Sequence, residues 1–256
     1  MHAVVIDRLE GQPAALAKTA AAAIGGTAYD VMASMNVAQG GPAVIAVNAD
    51  PGAAEAVRAA LCQAGFHAAV HGVQADLPHV DVRRFELGEH ALMVEERGGR
   101  SFEIPYGTVD LLIRVTAVTT TSSTTTVRER KFNLARSALS GGLINTKTQK
   151  TTKTTRETDS VDLLYVFSRE ATPLRMADNG LQYQGLGAAI APSRTMNFAY
   201  TVKAIQGHCP QAHFDERLRR RAAQGQMLGR VLSPDEHLGF AIAMIARSVR
   251  NRAAAS

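Results

Sequence analysis

PAVIAVNADPGAAEAVRAALCQAGFHAAVH, residues 42–71, is the stretch from which the fold can be read. Residues 43–47 (AVIAV) are apolar without a break and rich in β-branched side chains, the pattern of a strand buried on both faces. Asp50-Pro51 then starts a helix. An aspartate at the cap accepts the orphan N–H groups of the first turn, and a proline just inside the helix has no N–H to leave unpaired. Alanines carry the helix to residue 64, Gly65 ends it, and residues 66–73 (FHAAVHGV) form the next strand.

Working outward toward the N-terminus, residues 2–7 (HAVVID) read as a strand and residues 13–24 (PAALAKTAAAAI) as a helix stopped by Gly25-Gly26. Residues 27–35 fit a second short helix. The order over 1–74 is β-α-α-β-α-β. In order and spacing this segment resembles the C-terminal domain of the bacterial ribosomal stalk protein: a strand, two helices, a strand, an alanine-rich helix, a glycine and a last strand. The resemblance covers about a quarter of the chain and implies that fold. In that family the domain recruits translation GTPases through lysines around its helix pair. Here Lys18 stands alone on the first helix, and the second offers Tyr29, Asp30 and Ser34, so the resemblance implies a fold and no site.

Working outward in the other direction, residues 75–82, with Pro78, read as a linker. Strands are expected at 83–87, 91–96, 101–104, 109–118, 162–167 and 181–184, with a glycine turn at Gly98-Gly99 and a helix over 194–206. The run ALMVEE, a Gly turn and FEIPYGTV resembles bacterial pleckstrin-homology-like domains, which implies a bent antiparallel sheet closed by a helix. An antiparallel α+β domain outside that family is the competing reading. Residues 211–256 read as a basic helical tail. Residues 214–223 suit a polar helix with Asp215 and Glu216 early and arginines late. Ser233 and Glu236 form a capping box around Pro234. Leu238, Ala241, Ile242, Ile245 and Val249 make one apolar face, expected to bury on this chain, with self-association as the alternative. The expected class is α+β: a small domain at 1–74, a linker, an antiparallel strand-rich domain at 83–210, and the tail.

Composition narrows the function classes. With 256 residues, 46% of them apolar, the chain is long enough for two domains with proper cores. The two cysteines, Cys62 and Cys209, lie far apart, which excludes a disulfide scaffold and suits a reducing, cytoplasmic setting. The first ten residues carry no secretory pattern, and no run approaches the ~18 apolar residues of a membrane span. A net charge of +5 and a pI near 9.5 favour an acidic partner.

The most unusual segment is 116–158, in which 14 of 43 residues are threonine, a density that favours strands over long helices. TTTSSTTT (119–126) and NTKTQKTTKTTRET (145–158) flank residues 128–143. A long hairpin with threonine facing threonine and a low-complexity loop are both open. Lys147, Lys150, Lys153 and Arg156 recur every third residue, a spacing that alternates faces on a strand and drifts around a helix. With Arg128, Arg130 and Lys131 they are the candidate residues for an acidic ligand, whether lipid head group or nucleic acid. The competing reading is a sheet edge protected by lysine. The threonine runs lack the alternating apolar residues of a membrane-inserting arm.

Catalytic signatures are missing. No GxxxxGK[ST], GxGxxG or GxSxG occurs in its required context. His67 and His71 share a strand face without a third metal ligand in view, and His208, Cys209 and His213 form only a loose trio. Neighbours such as Glu95 and Glu96 point to opposite faces of a strand. The sequence therefore reads as a binding or scaffold protein without cofactor or metal. Its partner is expected to be a protein or another anionic ligand, with homo-oligomerisation as a further expectation. An enzyme assembled from distant residues, such as the histidines and the 185–197 loop, and a peripheral binder of anionic membrane are the alternatives.

Overall fold

The computed structural model describes residues 1–8, 13–35, 41–73, 77–132 and 146–255. Side chains are described for the same residues except 8, 13, 30, 33–35, 119–132, 146–158 and 255. The chain forms two compact units, Met1–Ala117 with Val161–Ser256, and Val118–Ser160. Helices and two separate sheets make up an α+β fold.

The first 73 residues contain β1 (His2–Arg8), α1 (Pro13–Ile24), α2 (Ala28–Met35), β2 (Ala43–Asn48), α3 (Pro51–Gln63) and β3 (His67–Gly72). The strands form an antiparallel sheet in the order β2-β1-β3. The expected caps are present: the Asp50 carboxylate accepts the Ala53 N–H at 2.7 Å. At the other end Gly65 takes φ +89°, and the Phe66 N–H reaches back to the Leu61 carbonyl. A side chain at Gly65 would meet the left-handed penalty that glycine escapes.

The second sheet collects β4 (Val80–Leu87), β5 (Ala91–Glu96), β6 (Ser101–Pro105), β7 (Val109–Phe132), β8 (Thr146–Ser168), β9 (Leu174–Ala177) and β10 (His213–Asp215) in the order β10-β7-β8-β9-β4-β5-β6. The sheet is mixed rather than purely antiparallel, because β10 pairs parallel with β7 and β9 parallel with β4. β4 starts at Val80, inside the expected linker, because Val80–Val82 pair with β9. The sequence hid both short strands. β9 has only four residues, too few for a period. Residues 213–215 sit where a polar helix was expected; instead the chain passes through β10, a 3₁₀ turn at Arg217–Arg219, and a helix at Arg221–Leu228. The buried Asp215 carboxylate decides this locally, since it accepts the Arg217 backbone N–H at 3.0 Å and the same residue's guanidinium at 2.7–3.2 Å. Residues 181–184 form no strand either. A single bridge joins Gln182 to Arg84 before a 3₁₀ turn at Tyr183–Ala189.

The remaining helices are α4 (Arg194–His208), α5 (Arg221–Leu228) and α6 (Pro234–Ala255). Period-two alternation distributes the core around them. Leu111, Ile113 and Val115 of β7 and Leu163, Tyr165 and Phe167 of β8 face one side, with Ala3, Val5, Ala43 and Val44 of the small sheet and with α6. Leu112, Leu164 and Val166 face the other side, against Phe198, Val202 and Ile205 of α4. Val4 and Ile6 face α1 to α3. The expected apolar face of α6 is buried on the chain and is wider than the sequence pattern implied. Phe240, Met244 and Ala246 are buried beside Ala241, Ile242 and Ile245, because α6 packs against both sheets. Its capping box forms only in part: the Ser233 hydroxyl accepts the Asp235 N–H at 3.3 Å, and the Glu236 N–H donates to the Ser233 carbonyl. Among the described residues, no helix is long and apolar enough to cross a membrane.

Candidate functional site

Threonine and β-branched residues carry β7 and β8 well beyond their apolar portions. The strands run 24 and 23 residues and are neighbours in the sheet. Their threonine-rich parts make up the unit Val118–Ser160. At about 3.3 Å per residue, each strand of this two-stranded arm reaches ~50 Å. Arg128, Arg130 and Lys131 lie on β7, and Lys147, Lys150, Lys153 and Arg156 lie on β8. The seven residues nominated from sequence therefore fall on adjacent strands of one unit; their side chains lie outside those described. Arg136 and the rest of 133–145 also lie outside the described residues.

Charge separates along the same boundary. Residues 118–160 hold eight of the chain's 28 lysines and arginines but only three of its 23 acidic residues. This segment carries +5, the whole formal charge of the protein, and the remainder is neutral. The remainder is also internally paired. Arg175 forms a bidentate bridge to Asp81 at 2.6 and 2.9 Å, Arg250 one to Asp110 at 2.9 and 3.1 Å, and Arg221 one to Asp235 at 2.5 and 2.6 Å. Arginines expected late in a polar helix at 214–223 are paired the same way. Arg217 is buried on Asp215 and donates to the Gly41 carbonyl, and Arg219 lies 3.4 Å from Glu216.

Three other places in the larger unit bring polar groups together. The first is a charge-balanced, partly buried centre. Asp162 accepts from Arg114 at 2.8 Å and from the Thr116 hydroxyl at 2.7 Å, and Asp178 lies 3.4 Å from Arg194. The Tyr183 hydroxyl donates to the Asp178 carbonyl at 2.8 Å. Burial pushes the Asp178 carboxyl above its ordinary range despite the pull of Arg194, and nearby Asp162 pushes the same way. Burial likewise raises the Tyr183 phenol. Two carboxylates against two guanidiniums leave no net charge for a ligand to answer.

The second is a cavity of about 570 Å³ between β4, β5, β6 and the 183–189 turn. Phe85, Leu87 and Met93 supply apolar wall, and Arg84, Glu95 and Gln184 supply polar wall. Arg84 is already held by Gln182 and lies 3.5 Å from Glu95. Gly185 and Gly187 bring part of the nominated 185–197 loop to this cavity, but its described lining includes no histidine.

The third is a hollow of about 470 Å³ lined by Asp7, Cys62 and His67. The pairing of β1 with β3 and the turn after α3 bring these residues together, which spacing along the chain could not reveal. Burial raises the Asp7 carboxyl against the pull of Arg252, His67 and Arg247. His71 does not join: it accepts from Arg247 at 2.8 Å, and burial together with that charge lowers its pKa. Among the described residues, no three His, Cys, Asp or Glu side chains are placed to hold a metal ion. The trio of His208, Cys209 and His213 disperses as well. The His208 ring stacks on Tyr106 at 4.4 Å, Cys209 is buried with its thiol pushed up to about 11, and His213 lies 4.0 Å from Asp215.

Compared with known proteins, the chain matches no family model, no curated protein and no solved structure.

Proposed function

We propose that this is a binding protein without catalytic activity, in which a neutral α+β unit carries a cationic two-stranded arm for an acidic partner. The observation that supports this reading is the segregation of charge: all of the net +5 belongs to residues 118–160, while many cations of the larger unit are paired with its own carboxylates. A cationic element with few acids of its own raises the local concentration of an anionic partner and speeds encounter. The contrast with the Asp162 and Asp178 centre of the larger unit supports the same reading, since its two carboxylates are opposed there by Arg114 and Arg194.

Retention on immobilised heparin tests it. The parent is expected to elute at substantially higher salt than the variant with Lys147, Lys150, Lys153 and Arg156 changed to glutamate. A control variant with Lys18, Arg169, Lys203 and Arg220 changed to glutamate has the same net charge as that variant but an intact arm. It is expected to elute near the parent. Equal loss in both variants means that only total charge matters, and the arm is then a solubilising edge.

A further inference from the structure

We infer that the partner of the arm is duplex nucleic acid, held through its phosphate backbone with no reading of base sequence. This rests on the arm being a cationic binding element and names what it binds. Three features of the arm select among acidic partners.

The cations are spread out, not clustered. Lys147, Lys150, Lys153 and Arg156 recur every three residues along β8, so successive backbone positions are about 10 Å apart and the series spans about 30 Å. A single anionic group meets only one or two positions of such a series. A duplex offers a negative charge about every 1.7 Å along its axis, so it has a phosphate within reach of every cation on the face that it meets. Between Thr146 and Arg156 no acidic residue interrupts the series.

On β8 the residues between the cations have one kind of chemistry, which the run at 119–126 shares. Residues 119–126 and 145–160 contain no apolar side chain; they are threonine, serine, glutamine and asparagine beside the charges. Lysine, arginine and these short polar residues are the set that contacts phosphate and sugar oxygens. A stable protein interface needs aromatic or aliphatic anchors at its centre, and an interfacial membrane segment needs an apolar face to bury. Neither threonine-rich run supplies them.

Shape and aromatic content then favour the duplex over a single strand. Sequence-tolerant binding of single strands relies on bases stacking on aromatic side chains, and Phe132 is the one aromatic residue in 118–160. Two paired strands make a ribbon, and the major groove of a duplex is wide enough to admit one.

Fluorescence anisotropy of the full-length protein with a mixed-sequence duplex of about 30 base pairs, across a salt series, tests the inference. With two to seven phosphates neutralised, affinity is expected to fall roughly 10- to 10⁴-fold between 50 and 200 mM salt. Two unrelated duplexes are expected to bind alike, and the matching single strand more weakly. Changing Lys147, Lys150, Lys153 and Arg156 to glutamine should reduce the steepness of the log–log salt dependence by about 2–4. The pairs Lys147/Lys150 and Lys153/Arg156, changed separately, should each remove about half of that and guard against misfolding of the quadruple variant. Vesicles of equimolar phosphatidylserine and phosphatidylcholine, and polyglutamate, are run in parallel. Arm-dependent binding to vesicles or polyglutamate but not to duplex overturns the nucleic-acid assignment and leaves the cationic arm standing. So does tighter binding to the single strand. Duplex binding that is indifferent to the glutamine changes places the contacts elsewhere and overturns the inference. Absence of arm-dependent binding to any of the three probes overturns the broader proposal too.

Discussion

Asp178 shows how a single residue in this fold responds to its surroundings. Its side chain is only 8% exposed, and its nearest cation stands 3.4 Å away. Among the described residues, one of its oxygens is buried without a hydrogen-bond partner. Burial therefore prevails over Arg194 and raises the carboxyl above its ordinary value of 3.8. In the interval between that value and the raised one, the folded chain binds more proton than the unfolded chain. The contribution of Asp178 to stability thus improves as pH falls through the raised value and is least favourable above it. Asp178→Asn removes the buried charge. In chemical denaturation at pH 4.5 and 7.5, the variant should gain on the parent by more at pH 7.5; a difference independent of pH would mean the charge carries no penalty. Little in the sequence warns of this centre. Asp162, Asp178, Arg114 and Arg194 stand on or beside four different elements, and the pairing of β8 with β9 brings the two carboxylates together.

At the scale of elements, Gly185 explains why the expected strand at 181–184 is absent. The 183–189 turn lies so close to β4 that a Cβ built on Gly185 falls on the Phe85 carbonyl oxygen. A ladder cannot continue through such a crossing, so pairing ends after the bridge between Gln182 and Arg84. Gly185→Ala must push the turn off β4, at about 1–3 kcal/mol of stability, and should open the 570 Å³ cavity beside it. Urea denaturation together with amide exchange in β4 checks this; an unchanged midpoint would show that the turn gives way freely. Elements with a long period or a clear cap were legible: β5 over Ala91–Glu96 and α1 over Pro13–Ile24 have the expected bounds. Short strands such as β9 and β10 were not, because three or four residues take their conformation from a neighbouring strand.

At the scale of the whole molecule, α6 joins the two sheets of the larger unit. Ile245 is fully buried in the cluster that includes Ala3 and Val5 of β1 as well as Ile113 of β7 and Tyr165 of β8. The Ser248 hydroxyl donates to the Asp7 carbonyl at 3.2 Å, and Arg250 bridges Asp110 on β7. Ile245→Ala should cost about 2–5 kcal/mol and lower amide protection in β1 and β7 together. If only one sheet loses protection, the two unfold separately and α6 does not couple them.

The sequence by itself determined the α+β class, the β-α-α-β-α-β order, the start and stop of α3, and the concentration of cations in the threonine-rich segment. These follow from side-chain periodicity, capping chemistry and charge, which act over a few residues. Only the tertiary structure decided that β9 and β10 pair in parallel with β4 and β7, that the apolar face of α6 packs against two sheets, and that Arg217, Arg219 and Arg221 are matched by carboxylates. Those outcomes depend on contacts made in the folded chain, where a buried partner such as Asp215 or a close approach such as that at Gly185 outweighs local preference.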